Sequence, residues 1–415
     1  MFRIWIYLNL SSFLSTLFFF NNNSRKNSHN IKRIISKQSN KKYTALFSQC
    51  RVAFFFILKF LKSKKSKSEI IFCAYNLPEM INIAENLNLK VRFCDLDYAT
   101  GFINFKDLKK NIFKKTIAIV LTNMFNNYKA SKEIKKIARK NKIPLIEDNA
   151  IYFDNYSKIN KELKVYSGNL GDYTIFSFNI MKNISSFFGG AASTNNKNFI
   201  EFYKKNEINL NDFFYFPLIK QIIIYLILKL MSIKFLYKTV FTHVIKYVYK
   251  KNIKSILQIF YPSLKLIKKK FPKYYFSKIS NLAINNTIIQ LKNKKRRSKI
   301  FVDRKKKHKY YFKKLMKIKN NNFNLINVTD ENYQNFLDFP ILVKDKNKLN
   351  EYLLDKGIEV RLKHYYNCEK FFGNGKKCIN AQKYEKELIC LPIHPNITLA
   401  YIDLVVKNID VYYSR

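Results

Sequence analysis

Between residues 68 and 194 the chain repeats one unit: an apolar run of strand length, a polar or acidic stop, then a segment with helical spacing. SEIIFCAYN (68–76), VRFCDLD (91–97), TIAIVLTN (116–123), IPLIEDNA (143–150), DYTIFSFN (172–179) and GGAAST (189–194) read as strands. MINIAENLNL (80–89), DLKKNI (107–112) and KEIKKIARKN (132–141) read as the helices between them. In the last of these, Ile134, Ile137 and Ala138 fall at i, i+3 and i+4, which puts them on one helix face. Alternation of this kind predicts β-α-β units on a mostly parallel sheet, hence an α/β fold. Ligands of such sheets bind beyond the carboxyl ends of the strands. The residues to examine are therefore Tyr75, Asn76, Asn123, Asp148, Asn149 and the stretch from Ser177 to Lys182.

The chain is 415 residues long, enough for a large domain plus a smaller one. It is 47% hydrophobic, which supplies a real core and argues against disorder despite the charge. Lys and Arg number 77 against 28 Asp and Glu, a net charge of +49. A polyanion partner would explain such a charge. The excess runs along the whole chain, however, and no nucleic-acid-binding module accompanies it, so compositional bias is favoured and nucleic acid argued against. A weak attraction to anionic membrane remains. Six cysteines are scattered without CxxC spacing and apart from the histidines, which gives neither a zinc site nor a disulfide framework and suits a reducing compartment such as the cytoplasm.

Two further segments stand out. Residues 4–20 are strongly apolar but at the short limit for a span, with no A-x-A-like cleavage site. An anchor, a hydrophobic N-terminal helix and a misassigned start are all open. Residues 213–250 are apolar and aromatic, with lysines at 220, 229, 234, 238, 246 and 250. They read equally as an interfacial membrane helix and as a buried helical insertion or oligomer contact. Residues 285–320 look like one long basic helix, in which RKKKHK (304–309) is read as a solvated face rather than a phosphate site. From 335 the alternation resumes with FLDFPILV (336–343), KLNEYLLDKG (348–357) and IEVRLKHYY (358–366), a small α/β domain.

The chemistry centres on Asp148 and Lys182. Both follow buried strands and can reach one crevice. A carboxylate there is partly desolvated and calls for a cationic partner, and a lysine there loses hydration, lowers its pKa and becomes a nucleophilic amine. Pyridoxal 5'-phosphate uses such a pair: the lysine takes its aldehyde and the acid holds its ring nitrogen. Ser177 and nearby turns can offer hydrogen bonds to the phosphate. Taken alone the spacing is weak evidence, and a structural ion pair is the more common reading.

The chain resembles the DegT/DnrJ/EryC1/StrS family of pyridoxal-phosphate-dependent sugar aminotransferases. The resemblance rests on the first strand with its helix (68–84), VRFCDLDYATGFINFKDL, TIAIVLTNMFNN, KIARKNKIPLIEDNA, GNLGDYTIFSFNIMKN and FGGAAST, with GIEVRLKHYY and LPIHPNIT near the C-terminus. It covers roughly 40–205 and 275–410. It implies aminotransferase fold type I, with a large mostly parallel sheet and a smaller C-terminal α/β domain. The chain then divides into an N-terminal extension (1–45), a large cofactor-binding domain (46–205), an apolar and basic helical insertion (206–275), and a long basic helix with the small domain (276–415).

By the same resemblance, Lys182 would carry the cofactor and shuttle the proton, Asp148 would hold the pyridinium, and Ser177, with the turn at Cys50 and Arg51 before a helix, would cradle the phosphate. Asn149 joins the cofactor set beside Asp148. Departures are Leu77 where an aromatic stacks on the ring, Ile151 where Gln or His is usual, Cys50 where the turn has glycine, and the region of Phe276, where an Asn reaches a neighbouring subunit's phosphate. The implied reaction moves an amino group, with glutamate as donor, to a keto-sugar nucleotide for surface polysaccharide. Arg361 or Lys363 would meet the diphosphate, and the enzyme would be a homodimer with its site at the interface. A related dehydratase replaces the lysine, usually with histidine, so Lys182 favours transamination. The alternative is a weakened or non-catalytic membrane-associated protein on this fold, docking through 4–20 and 213–250 on anionic lipid at the inner face of the membrane.

Overall fold

The computed structural model describes residues 2–18, 24–64, 68–125, 128–151, 153, 168–260, 271–318, 320–326, 337–362, 364–373 and 375–414. Its centre is a seven-stranded sheet built from β1 (Tyr43–Phe47), β2 (Glu69–Cys73), β4 (Lys90–Cys94), β5 (Thr116–Thr122), β6 (Leu145–Asp148), β7 (Tyr173–Ser177) and β8 (Gly190–Thr194) in the order β1-β8-β7-β6-β5-β2-β4; a two-residue β3 (Tyr75–Asn76) lies outside it. β4, β2, β5, β6 and β7 pair in parallel, while β8 runs antiparallel between β7 and β1. Strands β2, β6, β7 and β8 are buried at every position. That is why their sequences are nearly continuous apolar runs: a parallel sheet covered on both faces has no solvent side to alternate with.

The helices α1 (Leu10–Phe18), α2 (Ser24–Ser39), α3 (Cys50–Lys64), α4 (Pro78–Asn86), α5 (Phe105–Lys110), α6 (Tyr128–Lys140) and α7 (Lys197–Glu207) accompany the sheet. Local chemistry sets several of their starts. Pro78 opens α4, where its fixed φ costs nothing. Asn104 accepts from the Lys106 and Asp107 N–H groups at 3.0 and 3.1 Å, starting α5 two residues ahead of the expected DLKKNI. All of α2 and the first three residues of β1 fall within residues 1–45, and β1 is an edge strand of the large sheet.

The described part of the insertion is largely helical. It comprises α8 (Tyr215–Met231), α9 (Lys234–Leu236), a π-turn (Tyr237–Phe241), α10 (Thr242–Lys250) and α11 (Lys254–Phe260), and α8 meets the following helical segment at 83°. No single described helix is long and apolar enough to cross a membrane. The apolar segment at the N-terminus is no continuous helix over 4–20. Residues 2–9 are irregular, and Phe2, Ile4, Ile6, Leu8 and Phe13 pack in one cluster with Leu218, Tyr225, Leu228 and Met231 of the insertion. Each segment therefore buries the apolar face of the other.

The expected single helix at 285–320 is two, α12 (Asn281–Lys292) and α13 (Lys294–Leu315), broken at Asn293, whose ψ of 67° is not helical and whose side chain caps α13 at Arg296 N. RKKKHK is not one solvated face. Arg304 donates to Asn183 Oδ1 at 3.1 Å, and Lys307 donates to the carbonyls of His394 and Pro395. At helical spacing a six-residue run covers more than a full turn, so some of its members face the protein.

The small domain is an antiparallel sheet of β9 (Phe323–Leu325), β10 (Asp338–Val343) and β12 (Leu388–Pro392), with α14 (Lys346–Asp355), α15 (Glu369–Phe372), α16 (Ile379–Glu387) and α17 (Leu399–Tyr413). IEVRLKHYY is not a strand. It crosses back toward the large sheet, where β11 (Tyr366–Asn367) pairs with β3. That small ladder, with the Cys368 N–H donating to Ala74 O at 2.8 Å, ties the small domain to the carboxyl end of β2.

Candidate active site

β6 and β7 lie side by side and in parallel, with Asp148 opposite Ile175. Their carboxyl ends therefore deliver Asp148 and Ser177 to the same edge of the sheet. Just beyond β7 the chain makes a tight turn. The Asn179 side chain accepts from Ile180 N–H at 2.7 Å, and Lys182 N–H donates to Asn179 O at 2.9 Å. The Ser185 hydroxyl donates to Lys182 O at 2.9 Å and fixes the far side of that turn. An Asn at the first turn position bonding its own backbone is a local turn-former, so NIMKN presents Lys182 by sequence-encoded geometry.

Lys182, Asp148, Ser177, Cys50, Arg51, Leu77 and Ile151 all line one cavity of about 530 Å³. Burial pushes the Lys182 ammonium down to about 8, the Arg361 charge pushes the same way, and Asp148 pulls only partly back. Burial raises the Asp148 carboxyl above its usual range, against the Ala150 N–H bond at 2.9 Å and the Lys182 charge. Each charge is desolvated more than the other compensates. Perturbed ionisations of this kind in a cavity mark the two as candidates for chemistry.

Period-two alternation divides the IEDNA segment. Asp148 faces the cavity, while Glu147 and Asn149 face the other side. Glu147 accepts from the Leu170 and Gly171 N–H groups at 2.9 and 2.8 Å. Asn149 donates to Glu147 Oε1 at 2.9 Å and accepts from Asn123 at 2.7 Å. Asn149 is therefore tied into that network and is not among the residues that line the cavity, where the expectation had placed it beside the cofactor. The alternation of side chains along a strand already separates it from Asp148.

The phosphate end fits in part. Gly190 opens β8 directly against the start of α3, where a Cβ on Gly190 would lie 2.3 Å from Cys50 N and 2.6 Å from Gln49 C. Only glycine lets the strand pass there. The N-terminus of α3 consequently faces the cavity next to Ser177, a suitable setting for an anion. The Arg51 guanidinium is committed elsewhere. It pairs with Glu79 at 2.5 Å and donates to Tyr275 OH at 2.7 Å. Burial works to lower the Arg51 pKa, yet Glu79 and Tyr275 outweigh it and hold the charge more firmly than usual. Leu77 and Ile151 supply only aliphatic surface to the wall. Phe276 does not reach the cavity. It packs edge-on against Phe55, 4.9 Å between ring centres, while its neighbours Tyr274 and Tyr275 line the wall instead. The residues present suit the cofactor at its ring nitrogen, its aldehyde and its phosphate. Nothing aromatic stands at Leu77 to stack on its ring.

Three contributions, from His364, the N-terminal segment and the insertion, have no counterpart in the sequence reading of the site, whereas Arg361 has one. His364 is buried in the cavity wall with no hydrogen-bond partner on either ring nitrogen among the described residues. Burial, then the Arg361 and Lys182 charges, push its pKa well below the usual value. Arg361 lines the same wall and pairs with Asp338 at 3.2 Å; Lys363 lies outside the described residues. The N-terminal segment supplies Arg3, Ile4, Trp5 and Tyr7. It is pinned by Arg3 to the buried Glu359 at 3.2 Å and by Phe2 O to His394 at 2.9 Å. The insertion adds Phe216, Pro217 and Ile224. For His364 a signal existed, in the HYY of the small-domain motif; for the N-terminal segment none did, because contacts this long-range leave no periodicity. Among the described residues no group of three or more His, Cys, Asp or Glu could hold a metal ion.

The architecture is that of pyridoxal-phosphate-dependent aminotransferases of fold type I. Solved structures of that fold superpose over nearly the whole chain. The aminotransferase PseC of Helicobacter pylori, involved in pseudoaminic acid biosynthesis, gives a TM-score of 0.66 at 17% identity, covering 97% of this chain and 95% of that one. An E. coli GDP-4-keto-6-deoxy-D-mannose-3-dehydratase with bound hydrated pyridoxal phosphate gives 0.68 at 19%, covering 97% of each. Within this class the chain belongs to the DegT/DnrJ/EryC1/StrS aminotransferase family, whose profile matches residues 24–207 and 275–410. The gap between the two matches coincides with the helical insertion. A Campylobacter jejuni UDP-4-amino-4,6-dideoxy-N-acetyl-beta-L-altrosamine transaminase is 34% identical over 122 residues, 29% of this chain and 31% of that protein. An uncharacterised Methanocaldococcus jannaschii protein is 32% identical over 137 residues, 33% and 34% of the two chains. The chain spans about a third of the length of these two curated relatives.

Proposed function

We propose that the chain is a pyridoxal 5'-phosphate-dependent aminotransferase that moves an amino group from glutamate to the keto group of a nucleotide-linked sugar, feeding surface-polysaccharide synthesis. The observation that carries this reading is the pair itself: Lys182 and Asp148 at the ends of adjacent parallel strands, in one cavity, with shifted ionisations. When bound, pyridoxal phosphate supplies an aldehyde for the lysine and a ring that withdraws electrons from the reacting carbon. Asp148 would hold the proton on the ring nitrogen. Lys182 Nζ, neutral over a useful part of the pH range because of its lowered pKa, would take a proton from the donor's α-carbon and return it to the acceptor. Ser177 and the α3 amides would bind the phosphate. Arg361 gives a cationic wall suited to the donor carboxylate or the acceptor's phosphates.

Transamination is favoured over dehydration because Lys182 is retained. Membership of the family, and a UDP-sugar transaminase among the relatives, support the sugar-nucleotide acceptor. The expected working form is a homodimer in the cytoplasm. Mixing the cofactor-loaded protein with glutamate tests the half-reaction. The expected result is conversion of the visible-edge absorbance to that of the aminated cofactor. An unchanged spectrum with glutamate would remove the proposed donor.

A further inference from the structure

Helix α8 presents the wrong face to water. Leu218, Tyr225, Leu228 and Met231 are buried against the protein. The opposite stripe, where a soluble helix carries charge, is Phe216, Ile219, Ile223, Leu226, Ile227 and Leu230, between 42% and 80% exposed. Past the 83° bend the surface continues with Ile233, Phe235, Val240, Val244 and Tyr247, each at least 47% exposed. Scattered exposed apolar residues are ordinary, but a contiguous sheet of them across two helices marks an interaction surface.

The charges around it identify the partner. Residues 213–302 contain no Asp or Glu at all. Lys220, Lys234, Lys238 and Lys250 are exposed among the apolar residues. We propose that this face docks on an anionic lipid bilayer, with α8 and α10 lying in the interface, their apolar stripe among the acyl chains and the lysines at the headgroups. A second copy of the chain fits less well. A two-fold contact sets the same patch against itself and would oppose lysine to lysine without a carboxylate between them. A span fits less well, because α8 alone is not long and apolar enough and its other face is already packed on the protein. Phe216 belongs both to this face and to the cavity wall, so docking sets the cavity rim beside the lipid surface. The inference does not depend on the chemistry proposed for the cavity, since binding to vesicles is read without cofactor.

Flotation of the full chain with vesicles tests it. Binding is expected to phosphatidylcholine vesicles containing phosphatidylglycerol and to be much weaker to phosphatidylcholine alone, and to decrease with salt without vanishing. The combined variant Ile219→Gln, Ile223→Gln, Leu226→Gln should bind at least about ten-fold more weakly. The variant Lys234→Gln, Lys238→Gln, Lys250→Gln should lose on the order of 100-fold on anionic vesicles only. All six positions are solvent-facing, so the melting temperature should stay that of the parent, and the lipid and salt dependence of the parent chain decides the matter even if a variant misfolds. Absence of the parent chain from floated anionic vesicles overturns the proposal. So does a concentration-dependent dimer that the isoleucine and leucine substitutions dissociate while vesicle binding is nil.

Discussion

Lys182 is one lysine among many, and what distinguishes it is where the backbone delivers it. The lowered pKa has consequences that can be measured. Its folded value of about 8 lies below its unfolded one, so the folded protein is penalised wherever the unfolded chain holds the extra proton. The penalty is full below pH 8 and is relieved as pH rises from about 8 toward the ordinary lysine value. The free amine is also what captures the cofactor aldehyde. The rate of pyridoxal phosphate uptake, followed by absorbance, should therefore climb through about pH 8 and level off above it. A rate flat across that window would mean that the amine is not the shifted one. Asp148 shifts the opposite way, with its carboxyl raised by burial. Asp148→Asn should lower transamination on the order of 10²–10⁴-fold, measured by steady-state turnover. That both residues share one cavity was legible in the sequence, since each follows an apolar run. The placement of Asn149 was not, because it is Asp148's neighbour in sequence and faces the opposite side of the strand.

At the scale of elements, the site depends on how closely β8 approaches the start of α3. Gly190→Ala would place a methyl group 2.3 Å from Cys50 N. Helix and strand would have to part, at a cost of roughly 1–3 kcal/mol measured by denaturant unfolding, and the amides that face the cavity would move with them. A variant as stable as the parent, with undiminished cofactor affinity, would show that this contact does not position the helix. The sheet itself was readable from hydrophobic runs because both its faces are covered and every strand is a short apolar block. The break at Asn293 was not, because flanking basic residues carry helical propensity on both sides and the interruption is a single residue's ψ. Nor was the crossing of residues 358–366, whose pattern is strand-like but whose backbone pairs through a single bridge and β11. The tertiary path of a segment between two domains is set by its partners, which local pattern cannot express.

At the scale of the molecule, the N-terminal segment and the helical insertion are two apolar pieces that solve each other's exposure, and together they wall one side of the cavity. Arg3 is the pin. Burial raises the Glu359 carboxyl, against the pull of the Arg3 charge and N–H. Arg3→Ala would leave that acid buried with its backbone N–H and Tyr237 hydroxyl partners but without its counter-charge, costing about 3–5 kcal/mol near neutral pH, and less in acid where Glu359 can take up a proton. Thermal unfolding at two pH values checks this. The positive charge spread over the chain carries no such structural assignment except on the insertion, where the absence of acid is local and accompanies an apolar face. The central claim is that the crevice at the ends of β6 and β7 holds pyridoxal phosphate on Lys182. Absorbance of the protein purified in the presence of the cofactor tests it most directly. A band near the visible edge that survives desalting, and is lost in Lys182→Ala, is the predicted result; a colourless protein, or a band that Lys182→Ala retains, would contradict it.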